Sequence, residues 1–147
     1  MADQKCMTCA TRTVSNERAI AMLEKAGLRA TAPRVILTCL LFCDESHNHI
    51  TAEELYEQSI EADCRVSLAT VYNTLRAFTA AGILRQVNTD CSRVYFDTDP
   101  AEHYHFYDER TGKLINIGDN LLQDIKLPPL PEGAQLKGVD LLVRIRT

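Results

Sequence analysis

Between Ser67 and Gly82 the sequence reads as one helix, and directly after it the apolar pattern changes period. Leu68, Val71, Leu75 and Phe78 recur at three- and four-residue spacing, which places them on one helix face. Ser67 is suited to cap the helix start and Gly82 to end it. Ile83–Thr89 and Arg93–Asp97 then read as two short strands split by Asp90-Cys-Ser92, a hairpin. A helix followed at once by a hairpin is the closing part of a winged helix-turn-helix.

The upstream sequence supplies the other helices of that unit. Residues 1–15 are polar and aperiodic and read as a flexible arm. A first helix is expected over 16–26, with Ile20 and Leu23 on one face and Gly27 as its stop. Thr31 reads as the N-cap of a second helix, with Pro33 in its first turn and Ile36, Leu37, Leu40 and Leu41 as its stripe. Thr51-Ala-Glu-Glu54 has the form of a capping box opening a third helix that carries Leu55, Tyr56 and Ile60. The DNA-binding-type unit thus spans 16–97, and Asp99-Pro100-Ala101 marks a linker over 98–102. Residues 103–147 follow as strands His103–Asp108 and Lys113–Ile117, a short helix over 119–126, a stiff Leu127-Pro-Pro-Leu-Pro131 break, and a last strand with Val139, Leu141, Val143 and Ile145 on one side. The expected fold class is α+β: an N-terminal winged helix-turn-helix, then a small α/β dimerisation domain. The second unit is too short to bury much surface alone, so a homodimer built mainly from 103–147 is expected.

The chain of 147 residues carries a formal charge of −4, which alone disfavours nucleic acid. The charges are unevenly placed. Between Glu24 and Asp44 there is no acid but there are Lys25, Arg29 and Arg34; between Asp63 and Asp90 there is none but there are Arg65, Arg76 and Arg85. Local basic surface is what phosphates feel. No run reaches the ~18 apolar residues of a membrane span, and no apolar stretch follows Lys5, so a cytoplasmic protein without membrane partners is expected. Of the six cysteines, Cys39 and Cys43 lie in an apolar helical run and read as buried thiols. Cys6 and Cys9 form a lone CxxC, too few ligands for a zinc site.

Opposite its apolar stripe, the fourth helix presents Ala69, Thr70, Asn73 and Ala77, flanked by Tyr72 and Arg76, with no acid. Small residues let a helix sink into a major groove; Asn pairs with adenine, Tyr packs on a thymine methyl, and Arg reaches guanine or phosphate. The same residues also suit an amphipathic helix with a bland surface, and the residues alone are compatible with both. His103 and His105 are two apart on an expected strand and project from one face, where imidazoles can share a cation with carboxylate oxygen. Asp97 lies six residues earlier and His49 just before the third helix, so all four could meet where the two units join. Ordinary strand histidines remain the other reading.

Gly27-Leu-Arg-Ala-Thr-Ala-Pro-Arg34, Thr51-Ala-Glu-Glu-Leu-Tyr56 and Val66-Ser-Leu-Ala-Thr-Val-Tyr-Asn-Thr-Leu75 resemble the three sequence blocks of the ferric uptake regulator family's DNA-binding domain. His49-Ile-Thr-Ala-Glu-Glu, Tyr95-Phe-Asp97 and His103-Tyr-His105 resemble its regulatory site. The resemblance covers residues 16–117 well and the last strand loosely. It implies a dimer on double-stranded, AT-rich, roughly palindromic operators, with Tyr72 and Asn73 facing bases and Arg29 reaching a minor groove. It also implies a divalent metal (iron, manganese or zinc) at His49, Asp97, His103 and His105. Two departures stand out. Asn116 occupies a position where the family often has a second carboxylate. His105-Phe-Tyr-Asp-Glu-Arg-Thr-Gly112 lacks the CxxC that normally follows, so no structural zinc is expected. With the ending Leu127-Pro-Pro-Leu-Pro-Glu-Gly133, these features resemble the iron response regulator branch, which responds to haem as well as iron. None of the cysteines precedes proline, so a haem would use His103 and His105.

The leading expectation is therefore a dimeric repressor responding to iron or haem and controlling iron and haem metabolism genes. The alternative within the same fold is a metal-corepressed ferric uptake regulator without structural zinc. A metalloenzyme is disfavoured, since the chain has neither a Gly-rich phosphate loop nor a nucleophile–base constellation. A winged helix that binds only protein would not be expected to carry coincident metal ligands.

Overall fold

The computed structural model describes residues 15–43, 48–89, 93–118 and 125–147. It divides into two compact units, Met1–Pro100 and Ala101–Thr147. The expected arm over 1–15 lies outside the described residues except for Ser15, as do Cys6, Cys9 and the hairpin tip Asp90-Cys-Ser92.

The first unit holds helices α1 (Asn16–Lys25), α2 (Ala32–Leu41), α3 (Ala52–Glu61) and α4 (Leu68–Ala80), with strands β1 (His49–Ile50), β2 (Arg85–Asn88) and β3 (Val94–Asp97). Three helices start on side-chain caps: Ser15, Thr51 and Ser67 each accept from a backbone N–H of the first turn. The capping box at α3 is complete, with Glu54 Oε2 accepting from Thr51 N at 2.8 Å. Thr31 occupies the N-cap of α2, but its side chain makes no capping hydrogen bond; Pro33 in the first turn supplies the start.

The ends of α1, α3 and α4 share one motif. Leu28 N bonds Leu23 O at 2.9 Å, Cys64 N bonds Ser59 O at 2.8 Å and Ile83 N bonds Phe78 O at 2.9 Å, each bond closing a Schellman turn. The residue inside each turn is left-handed: Gly27 at φ 75°, Asp63 at φ 54° and Gly82 at φ 76°. Glycine takes that conformation freely, whereas Asp63 carries a side chain there.

The core of this unit joins Leu23, Leu37, Leu41, Leu55, Val71, Leu75, Phe78, Leu84 and Phe96. Leu68, expected inward, is corrected, and not every other apolar residue of the helices faces the core. Ile20, Ile60 and Leu68 are exposed at 36%, 56% and 37%, and Ala19, Ala52 and Ser59 are buried in α1 and α3 instead. Small residues at the contact let helix backbones approach closely, which turns the buried arc away from the bulkier neighbours. Two buried hydroxyls are satisfied within their own helices: Thr38 Oγ1 donates to Arg34 O at 2.7 Å and Ser59 Oγ to Tyr56 O at 2.6 Å.

The wing is a three-stranded sheet in the order β1-β3-β2. Both expected strands of the hairpin are shorter than the sequence pattern, since Ile83 and Leu84 lie in the turn leaving α4. Strand β1 was not expected. It pairs antiparallel with β3, His49 opposite Asp97 and Ile50 opposite Phe96. Asn48 and Thr98 extend the pairing: Asn48 N donates to Thr98 Oγ1 at 2.9 Å and Thr98 N to Asn48 O at 3.1 Å.

The second unit is a sheet of β4 (Tyr104–Asp108), β5 (Lys113–Ile117) and β6 (Leu142–Ile145), in the order β5-β4-β6. Strand β4 is central, antiparallel to β5 and parallel to β6. His103 precedes the strand rather than opening it, and Val139 and Leu141 precede β6. Of the expected helix over 119–126, only Ile125 and Lys126 are described, and both are non-helical.

Candidate DNA-reading helix and metal ligands

Helix α4 buries Val71, Thr74, Leu75 and Phe78 and leaves Leu68, Ala69, Tyr72, Asn73 and Arg76 exposed. The outward face therefore carries no acid, and presents an amide, a guanidinium, a phenol and two aliphatic side chains. Thr70 is half-buried, its hydroxyl 2.9 Å from Ser67 Oγ, so the N-cap already engages it. Arg29 is exposed between α1 and α2, and its carbonyl accepts from Arg34 Nη1 at 3.0 Å. Glu53 was not singled out from the sequence. From the first turn of α3 it accepts a hydrogen bond from the Tyr72 hydroxyl. That bond, then desolvation, then the nearby carboxylate charge raise the Tyr72 phenol above its ordinary value. Nineteen residues separate the pair, and no local pattern announces it.

Among the described residues, four side chains stand out as candidate metal ligands, two in each unit: His49 and Asp97, His103 and His105. In the first unit the β1–β3 register sets His49 opposite Asp97. His49 Nε2 lies 3.1 Å from Asp97 Oδ2, and the Asp97 side chain is fully buried. Asp97 Oδ1 is held by Asp99 N at 2.8 Å, which fixes the carboxylate plane and turns Oδ2 to the histidine. Ligands bound ~2.0–2.2 Å from one ion stand roughly 3.0–3.4 Å apart, so this pair already has the spacing of neighbouring ligands.

In the second unit the His103 and His105 rings meet edge-on with centroids 4.5 Å apart, and both residues are buried. His103 Nδ1 lies 2.8 Å from the Ala101 carbonyl. A carbonyl only accepts, so Nδ1 carries the proton and Nε2 keeps the lone pair that metals take. His105 sits opposite Asn116 across the β4–β5 ladder, and Asn116 is exposed on that strand. An N/O donor set of this kind suits borderline divalent cations, so the residues present fit such an ion.

The sequence profile of the ferric uptake regulator family matches residues 25–144. The chain belongs to the ferric uptake regulator family. It is 36% identical over 120 residues to the peroxide-responsive repressor PerR of Staphylococcus epidermidis, covering 82% of this chain and 73% of that protein. It is 33% identical over 109 residues to the ferric uptake regulation protein of Haemophilus influenzae, covering 74% of each. The ferric uptake regulator of Pseudomonas aeruginosa, solved with manganese, superposes with a TM-score of 0.69 at 30% identity, covering 88% of this chain and 97% of that one. The chain is accordingly a transcription regulator and not an enzyme, with the α+β fold of a winged helix-turn-helix followed by a dimerisation domain. Regulators of this family bind DNA as dimers. No helix among the described residues is long and apolar enough to cross a membrane.

Proposed function

We propose that this regulator is a repressor that reports iron status through one divalent ion, iron, manganese or zinc, held jointly by His49, Asp97, His103 and His105. The observation that carries the reading is the buried Asp97 carboxylate beside His49, since a buried charge calls for a cation or a proton. Each unit contributes only two donors, and a closed site takes four. Asp97 and His103 are joined by a short connection, at most ~20 Å when fully extended, so the pairs are tethered close together. A bound ion supplies a positive centre that both pairs share. Ligands drawn from two units favour the arrangement in which all four reach it, and that differential affinity shifts the population that fits the operator.

The DNA contacts in this reading are Tyr72 and Asn73 on bases, Arg76 on guanine or phosphate, Thr70 at the helix start and Arg29 in a minor groove. Double-stranded DNA is the partner, as an AT-rich, roughly palindromic site matched to a homodimer through 103–147. The unit is proposed to hold without structural zinc, because polar groups tie its strands where the sequence offers no CxxC. Asp108 Oδ2 accepts from Thr147 Oγ1 at 2.7 Å and Thr111 Oγ1 at 2.8 Å, and Arg110 Nε donates to Thr147 O at 2.7 Å.

A second reading keeps the same fold with haem as the effector at His103 and His105. The lack of a CxxC after His105 and the Pro-rich stretch after residue 126 favour it through their likeness to the iron response regulator branch. One titration separates the two: a duplex enriched from a random pool by the wild-type protein, bound by apo, manganese-, ferrous- and haem-loaded protein. A coupling of ~1–3 kcal/mol changes operator affinity about 5- to 150-fold. Tighter binding with metal marks corepression; release by iron or haem marks the iron response regulator type. An effector response that survives His103→Ala with His105→Ala would overturn both.

A further inference from the structure

The Tyr72 side chain is 41% exposed on α4, and its hydroxyl is spent on Glu53 of α3. Glu53 stands in the first turn of a helix whose start is fixed by the Thr51–Glu54 capping box, so the acceptor has a fixed origin. One turn before Tyr72, Leu68 is 37% exposed on the same helix flank. A groove of about 390 Å³ lies beside the Tyr72–Glu53 pair, lined by both and by Arg93, Val94 and Phe96. A phenol ring released from Glu53 has that groove to fold into.

We propose that Glu53 is a positioning residue for DNA reading: it takes up the Tyr72 hydroxyl, so that the ring is presented as a hydrocarbon surface which, with Leu68, fits thymine methyl groups. This rests on the reading of α4 as the DNA-reading helix. Tyr72 then discriminates by apolar contact, the mode available to thymine alone among the bases. The carboxylate also faces the phosphate field, and it lowers affinity for every duplex alike.

The experiment uses the full chain and a duplex enriched from a random pool by the wild-type protein, with and without manganese. The same duplex with deoxyuridine for each thymine lacks only the methyl groups. Wild type should lose about fourfold in affinity per contacted methyl on that change. Tyr72→Ala should remove most of the loss, leaving only the part that Leu68 contributes. Glu53→Ala and Tyr72→Phe should each reduce it, and the pair together should do no more than either alone. Glu53→Gln keeps an acceptor oxygen, so it should retain the methyl sensitivity while binding both duplexes more tightly. Full methyl sensitivity in Glu53→Ala, alongside its loss in Tyr72→Ala, would overturn the positioning role and leave the reading helix standing. Full sensitivity in Tyr72→Ala would remove Tyr72 from base reading and the proposal with it. Equal loss in Glu53→Gln and Glu53→Ala would also overturn it, because the hydrogen bond would then not be what matters.

Discussion

The two units of this regulator solve the problem of small size differently. The first closes a continuous apolar core from four helices and the wing, with Leu23, Leu37, Leu55, Val71, Leu75 and Phe78 fully buried. The second is a sheet of three short strands whose buried groups include His103, His105 and Asp108, while Ile115, Ile125, Leu127, Leu130 and Leu136 stay exposed. A sheet this small does not hide enough apolar surface to hold itself. The first unit is thus built to be stable as a platform. The second gains stability from a second copy across its apolar surface in the proposed homodimer.

The difference between the units is largest at Phe78. Phe78→Ala opens a cavity in the first unit's core and should cost about 3–5 kcal/mol, read as a large fall in the melting transition that contains the helical signal. An equal loss from a single apolar truncation in the second unit of isolated monomer would erase the contrast. Leu130→Glu comes next. If the exposed apolar surface is covered by a second copy, the new charge should weaken the dimer by at least about tenfold in sedimentation, with helix content unchanged.

Acid should act on the second unit. The Thr147 hydroxyl, then the Thr111 hydroxyl and the Arg110 and Thr147 amides, hold the Asp108 carboxyl well below the ordinary aspartate range. A depressed folded value means the stabilisation is complete above the unfolded value of ~3.9 and is lost as pH falls through the folded one. Asp108→Asn should therefore lower the second unit's stability at neutral pH and flatten its acid limb, followed by the nuclear magnetic resonance signals of β4–β6 against pH. EDTA at neutral pH should leave that unit folded and dimeric; chelation that unfolds it would reveal a structural metal.

Two smaller changes probe the first unit's local signals. Thr51→Ala removes the α3 cap and should cost ~1 kcal/mol in chemical denaturation. Asp63→Gly relieves a left-handed residue and should stabilise by a few tenths of a kcal/mol, after the entropy glycine adds to the unfolded chain.

Which features were legible in the sequence follows from their range. Helix starts and stops are local, and Ser67, Thr51, Gly27 and Gly82 carry them in their own chemistry. The histidine pair at 103 and 105 was legible as residues, although His103 lies before its strand. Strand β1 was not legible, because two residues have no period and are a strand only by pairing with β3. That pairing is what brings His49 to Asp97. Burial angle was half legible: spacing gave the stripe of each helix, but the packing at Ala19 and Ser59 decided which edge of it faces in. Glu53 was not legible, since its role depends on how α3 and α4 pack.

In the proposed site two pairs of ligands, one from each unit, hold a single ion. Manganese titration followed by electron paramagnetic resonance tests it on wild type, His49→Ala, His105→Ala and the double variant. The expected result is one ion per protomer, loss of at least about tenfold in affinity from either single change, and a double variant far short of the product of the two, as for ligands of one site. Asn116→Asp, opposite His105, should tighten binding by adding a charged oxygen. Unchanged manganese affinity in either His49→Ala or His105→Ala would contradict a shared site.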